Sequence, residues 1–142
     1  MPDDAFPVSD QPVAADVARL DENLYAFNAA ATGIDDGRHM SIVLKDASGK
    51  IYAGLYGHTW GECCEIKTIW VADERRGEGL GTRLLLSAER EARRRNCGSV
   101  LLATHSFQAP NFYARFGYQP VAVISGYPAG HDQILMRKAL EA

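Results

Sequence analysis

The stretch from Glu65 to Asn96 constrains this chain most, because it reads as strand, glycine-rich bend and helix in immediate succession. Ile66, Thr68, Trp70 and Val71 are β-branched or aromatic and specify a strand. Ala72-Asp73-Glu74 breaks that run, and Arg76-Gly77-Glu78-Gly79-Leu80-Gly81 then sets glycines at alternate positions. Behind them Leu80, Leu84, Ala88 and Ala92 recur at the four-residue spacing of one buried helical face. Glu89 with Arg93, and Glu91 with Arg95, are expected as acid-before-base pairs on the outer surface. Arg93-Arg94-Arg95 complements the negative end of the helix dipole, and Asn96 and Gly98 supply the stop.

Such a bend has chemical consequences. Without Cβ atoms its backbone can approach a ligand closely, and the free amides of the following first turn point outward. The helix dipole adds partial positive charge, which suits a phosphate or pyrophosphate, and Arg75 and Arg76 add full charges beside it. An ordinary glycine-rich connection with surface arginines is the alternative that the spacing alone leaves open. Two familiar phosphate loops are excluded. A P-loop needs Lys-Ser/Thr after its last glycine, but Gly81 is followed by Thr82-Arg83. A dinucleotide fingerprint needs G-x-G-x-x-G and a later acid, but Gly77, Gly79 and Gly81 are spaced G-x-G-x-G and the next strand ends in Thr104-His105.

The 142 residues suffice for one domain, 1–142, with its own core. A net charge of −3 gives no general reason to expect a nucleic-acid partner. No apolar run reaches membrane-spanning length, and Met1-Pro2-Asp3-Asp4 lacks the basic and apolar regions of a signal peptide, so a cytoplasmic location without membrane attachment is expected. Cys63, Cys64 and Cys97 are odd in number and argue against a disulfide framework. The adjacent pair points to opposite faces of a strand and makes a poor metal site, so all three are expected to be packing residues and no metal is expected.

In chain order, a short edge strand is expected near Ala5 to Val8, and an amphipathic helix from Val13 to about Ala30, with Asp10 or Gln11 as its cap. The loop at Asp35-Asp36 carries acids that either face a cationic substrate or are simply solvated. Met40–Leu44, Ile51–Tyr56 and the Glu65 strand form an antiparallel meander, with Gly57-His58-Thr59-Trp60-Gly61 as its second turn. Ser99–Thr104 returns after the helix as a β-α-β crossover, roughly parallel to the Glu65 strand, which makes the sheet mixed. A short helix, Ala109–Phe116, has Pro110 in its first turn and Gly117 as its C-terminal cap. Val121–Ser125, a turn at Tyr127-Pro128-Ala129-Gly130, and Gln133–Arg137 complete the chain.

Ile69-Trp70-Val71, the Arg76–Gly81 bend, the returning strand and Ala109-x-x-Phe112-Tyr113-x-x-x-Gly117-Tyr118 together resemble the GNAT family of N-acetyltransferases. The family's diagnostic Gln/Arg-x-x-Gly-x-Gly/Ala is matched by Arg76, Gly79 and Gly81, and the similarity runs from about residue 40 to the end. Ser106-Phe107-Gln108-Ala109-Pro110 and Tyr127-Pro128-Ala129-Gly130-His131 look like a bacterial branch of small acetyltransferases. The resemblance implies an α/β fold with a mixed, mostly antiparallel, twisted sheet of six to seven strands flanked by helices, its fourth and fifth strands splayed.

It further implies acetyl-coenzyme A as donor and a primary amine, on a small molecule or peptide, as acceptor, joined in a direct ternary complex. Homodimerisation is the family habit. The backbone from Arg76 through Gly77, Glu78, Gly79, Leu80 and Gly81 to Thr82 would line the diphosphate, and the strand bearing Ile69, Trp70 and Val71 would run beside the pantetheine. Tyr113 matches the family's tyrosine near the cofactor sulfur. A phenol of pKa about 10 is protonated at neutral pH and can donate there; the alternative is a core aromatic beside Phe112 and Phe116.

Glu65 stands where some relatives carry a glutamate base, yet Lys67 on the same strand face could simply pair with it, and water could take the proton. His58, Trp60 and His105 are weaker candidates. Many relatives have Asn where this chain has Ser106, which can donate one hydrogen bond to the cofactor but cannot mimic both ends of an amide. Acceptor specificity is expected from Asp35-Asp36, Trp60 and Tyr127–His131.

Overall fold

The computed structural model describes residues 5–141. The chain divides into two compact units, one ending at Asp35 and one beginning at Asp36. The first contains helix α1 (Ala14–Thr32), none of whose residues is buried. The helix starts where expected but has no side-chain cap, because Val13, in extended conformation, holds the N-cap position. Pro12 biases Gln11 away from helical geometry, and Asp10 lies three residues before the N-cap position, outside the place from which a side chain caps a helix. Gly33 ends α1 in the left-handed region (φ 73°), its N–H donating to the Ala29 carbonyl. Residues 5–8 form no strand, contrary to expectation. Pro7 removes a ladder donor in the middle of that run, and Phe6 and Val8 are left exposed.

The second unit is built on one sheet. Its elements are β1 (Arg38–Lys45), β2 (Ile51–Trp60), β3 (Cys63–Val71), α2 (Leu80–Arg94), β4 (Ser99–His105), α3 (Pro110–Arg115), β5 (Gln119–Ser125) and β6 (Asp132–Ala139). The six strands lie in the order β1-β2-β3-β4-β6-β5, with β3 and β4 parallel and every other neighbouring pair antiparallel. This is the mixed α/β sheet that the β-α-β crossover predicts. Among the described residues no helix is long and apolar enough to cross a membrane.

β2 is longer than its sequence suggests. Gly57 to Trp60, expected as a turn, continue the strand, and the chain reverses at Gly61 and Glu62, both with positive φ. Gly57 marks an irregularity in the β2–β3 register, where a Cβ would overlap the Glu65 carbonyl oxygen. The glycine therefore signals close backbone approach within the sheet rather than a reversal.

The core lies between α2 and one face of the sheet, where Leu80, Leu84, Leu85, Ala88 and Ala92 meet Leu55, Cys64, Ile66, Val100 and Leu102. Glu89, expected on the outer surface, belongs to this buried stripe and is only 1% exposed. It is tolerated because it is fully engaged: the Tyr118 hydroxyl donates to it at 2.9 Å and the Lys138 ammonium at 2.8 Å, while Arg93 lies 4.0 Å away. Glu91 pairs with Arg95 at 2.8 Å as expected, but the pair is half-buried rather than on the outer surface, because the Arg95 guanidinium turns in to donate to the Thr59 hydroxyl and the His39 carbonyl, both at 3.1 Å.

The strands expected as fourth and fifth are β3 and β4. They pair only from Cys63 opposite Ser99 to Ile66 opposite Leu102. Beyond that point β3 stays paired with β2 as far as Val71, and β4 with β6 as far as His105. The two strands therefore diverge into a wedge. The edges of Lys67–Val71 and Ala103–His105 that face each other carry backbone groups with no strand partner: the Gln108 side-chain oxygen accepts the His105 N–H and the Arg76 Nε donates to the Val71 carbonyl, and the remaining groups need a ligand or solvent.

Candidate active site

The wedge opens into a cleft of about 830 Å³. One wall is the free edge of β3, including Lys67, Thr68, Ile69, Trp70 and Val71. The glycine bend closes one end, and Thr104, Gln108, Phe112 and Tyr113 form the opposite wall. A 3₁₀ turn at Asp73–Arg75 carries the chain off β3, and Gly79 caps α2 without any side chain. Gly77 and Gly79 both lie in the left-handed region (φ 84° and 78°), and a Cβ at either would meet nothing within 4 Å. The bend is thus open on its outer side, and the first-turn amides of α2 remain available there.

Charge gathers at that end. Arg76 lies 3.2 Å from Asp73, and Arg75 stacks at 4.0 Å over the Tyr52 ring. The Arg75 Nε is enclosed without a hydrogen bond, 3.5 Å from the Glu78 carboxylate. Arg76, Gly77, Gly79, Leu80, Gly81 and Thr82 all line the cleft, whereas Glu78 turns aside to Arg75. Two arginines, an open bend and a helix N-terminus fit an anionic phosphate group.

Gly81 joins this end to the opposite wall, since a Cβ there would sit 3.6 Å from the Phe112 ring. Tyr113, one residue on, is 6% exposed and packs edge-on against Phe112 and Tyr118. Burial pushes its phenol up to about 12, which keeps the proton on oxygen at neutral pH. The Tyr113 ring is part of the core, and the residue also lines the cleft.

Glu65 lies elsewhere. It faces His58 across the β2–β3 pair, with its carboxylate 3.8 Å from the His58 ring and 3.3 Å from Lys67, and it does not line the cleft. Ser106 also turns away, accepting the Asp132 N–H at 3.0 Å. Asp36 accepts the Gly61 N–H at 3.0 Å, and Trp60 ends β2 half-buried. His105 stacks on Phe107 and meets Tyr127 edge-on, its Nδ1 3.0 Å from the Tyr127 carbonyl oxygen, and Phe107 meets His131 in turn. The loops after β4 and after β5 are thereby locked together around exposed aromatic rings.

Thr104 and Gln108 also line the cleft, and no motif in the sequence marks them as site residues. Thr104 ends in the wedge and is almost fully buried, its hydroxyl 3.4 Å from the Gln108 side-chain oxygen. The available signal was positional: a polar residue at a strand end and another just before a helical Pro, where free backbone amides need acceptors. No cluster of His, Cys, Asp and Glu able to hold a metal occurs among the described residues. Cys64 and Cys97 are buried and Cys63 half-buried, none in a disulfide.

Comparison with known proteins agrees with this geometry. Residues 6–118 match the acetyltransferase (GNAT) family. A blasticidin-S acetyltransferase of Streptomyces morookaense is 40% identical over 65% of this chain and 68% of its own length. An acetyltransferase of Agrobacterium fabrum is 28% identical over 94% of this chain and 97% of its own. The crystal structure of a putative acetyltransferase from Agrobacterium tumefaciens superposes with a TM-score of 0.81 at 27% identity, covering 96% of this chain and 99% of that one. With its splayed strands, open glycine bend and cleft tyrosine, the chain belongs to the acetyltransferase (GNAT) family and is an acetyl-transferring enzyme.

Proposed function

We propose that this enzyme transfers the acetyl group of acetyl-coenzyme A to a primary amine on a small molecule, by direct attack within a ternary complex. The observation that carries the reading is the wedge between β3 and β4, with an anion-binding bend at one end and a protonated tyrosine in its wall. Backbone amides from Arg76 to Thr82 hold the diphosphate, and Arg75 and Arg76 neutralise its charge. The unpaired edge of β3 over Ile69, Trp70 and Val71 lies along the pantetheine arm, where its backbone groups bond the arm's amides and polarise the thioester carbonyl. The donor supplies a thioester, so a C–N bond forms, the C–S bond breaks, and the departing sulfur needs a proton. Tyr113 donates it. The amine's own proton passes to water or to Glu65, and Glu65→Gln separates the two: a fall in kcat/KM with unchanged KM for donor assigns it to the carboxylate.

The small-molecule acceptor is supported by the Streptomyces relative, whose name gives blasticidin S as its acceptor. A thiol-release screen of the wild-type protein with acetyl-coenzyme A and a library of amines, blasticidin S included, tests the reading. Amine-dependent thiol release is expected. Binding of acetyl-coenzyme A with no release for any amine would overturn the primary-amine acceptor while leaving the donor reading intact.

A further inference from the structure

Gln108 is placed in the cleft by an arrangement that fixes which end of its amide faces outward. It follows β4, immediately before the α3 N-terminal region, and its own N–H donates to the His105 carbonyl at 2.8 Å. Its side-chain oxygen accepts the backbone N–H of His105 at 2.8 Å and lies 3.4 Å from the Thr104 hydroxyl. A backbone N–H can only donate, so the atom facing it must be the amide oxygen, and the usual ambiguity of a glutamine flip is removed. The remaining end is an NH2 group with two donors and no hydrogen-bond partner among the described residues. Gln108 lines the cleft, on the wall opposite the free edge of β3 and one helix start away from Tyr113.

The chemistry of that end selects its partner. An NH2 group donates, so it repels an acceptor ammonium, which is itself only a donor. On the proposed reading, phosphate oxygens would meet the bend amides and the Arg75 and Arg76 side chains, which line the other end of the cleft. What remains between these is a neutral carbonyl on the arm joining the diphosphate to the sulfur. We infer that Gln108 is a donor-binding residue: its NH2 donates to an amide carbonyl of the pantetheine arm, while its oxygen pins the loop after β4. Gln108 thereby supplies the amide contact for which Ser106, turned to Asp132, is not positioned. The inference rests on acetyl-coenzyme A being the donor.

The test separates the two ends of the side chain. Gln108→Glu keeps an oxygen for the His105 N–H but replaces the outward NH2 with a second oxygen, so the loop stays pinned while the arm is repelled. Titration calorimetry is run with coenzyme A and with adenosine 3′,5′-bisphosphate, which lacks the arm. The expected result is a Kd for coenzyme A raised about tenfold or more, an unchanged Kd for the bisphosphate, and an unchanged thermal midpoint. Gln108→Met, which removes both ends, should weaken coenzyme A similarly and serves if the glutamate variant does not fold. A coenzyme A Kd within about twofold of wild type in either folded variant overturns the role of Gln108 while leaving the donor reading intact. Wild-type protein that binds neither probe overturns the donor reading and this inference together.

Discussion

Replacing Glu89 should unfold this protein far more easily than its position on a charged helix suggests. The carboxylate is 1% exposed, and it accepts the Tyr118 hydroxyl at 2.9 Å and the Lys138 ammonium at 2.8 Å. Burial, and then the adjacent carboxylate charge, raises the Tyr118 phenol, which therefore remains a donor throughout the working pH range. Glu89→Ala strands an ammonium and a buried hydroxyl, and breaking a buried pair in this way costs about 3–5 kcal/mol. For a domain of this size each kcal/mol moves the thermal midpoint by about 2–4 °C, so a fall of about 6–20 °C is expected. Lys138→Met should cost a comparable amount by leaving the carboxylate short of its cation. The double variant Glu89→Leu/Lys138→Met should recover much of the loss, because desolvation of both charges then disappears. Urea denaturation followed by circular dichroism reads all three. If Glu89→Ala loses less than about 1 kcal/mol, or the double variant is as unstable as the singles combined, the interpretation of Glu89 as a compensated buried charge is wrong.

The other predictions concern the cleft and its surroundings. Tyr113→Phe should lower turnover at least about tenfold with little change in donor affinity, and an unchanged rate removes its role as acid. Because the folded phenol sits at about 12, against about 10 when exposed, its contribution to stability is complete below pH of about 10 and is lost as pH rises towards 12. Alkaline denaturation should therefore be shallower in Tyr113→Phe, and an identical alkaline slope would contradict the burial argument. Gly79→Ala should lose about 1–2 kcal/mol from left-handed strain and also weaken coenzyme A, whereas calorimetry showing native affinity would exclude the bend from the site. Alkylation of the native protein should modify Cys63 first, since Cys64 is wholly buried and its thiol is raised to about 12; mass spectrometry showing Cys64 modified first would refute this.

The sequence revealed those features whose cause is local. β-branched letters before a glycine bend, and a four-residue apolar repeat after it, specify β3, α2 and their junction without reference to the rest of the chain. The β-α-β crossover then made β3 and β4 parallel. Features set by distant neighbours are not legible in local sequence. Gly57 carries the same letter in a turn or a tight strand, and only the position of Glu65 across the sheet tells the two apart. Helix spacing places Glu89 in solvent, because spacing alone cannot reveal that Lys138, from β6, arrives to neutralise it and Tyr118 to donate to it. Phe6 and Val8 have strand-forming letters, but Pro7 between them withholds a donor and no strand forms. Gln108 was invisible for a related reason: its role depends on which end of an amide is already occupied, and that is a matter of geometry.

The divergence of β3 and β4 has an evolutionary corollary. Hydrogen-bonding groups along the two facing edges belong to the main chain, which every amino acid supplies in the same form except proline's missing N–H. Ordinary replacements in Lys67–Val71 or Ala103–His105 therefore change what decorates the wedge without erasing its donors and acceptors. Descendants of such a chain can drift widely in letters while these main-chain edges are inherited unaltered.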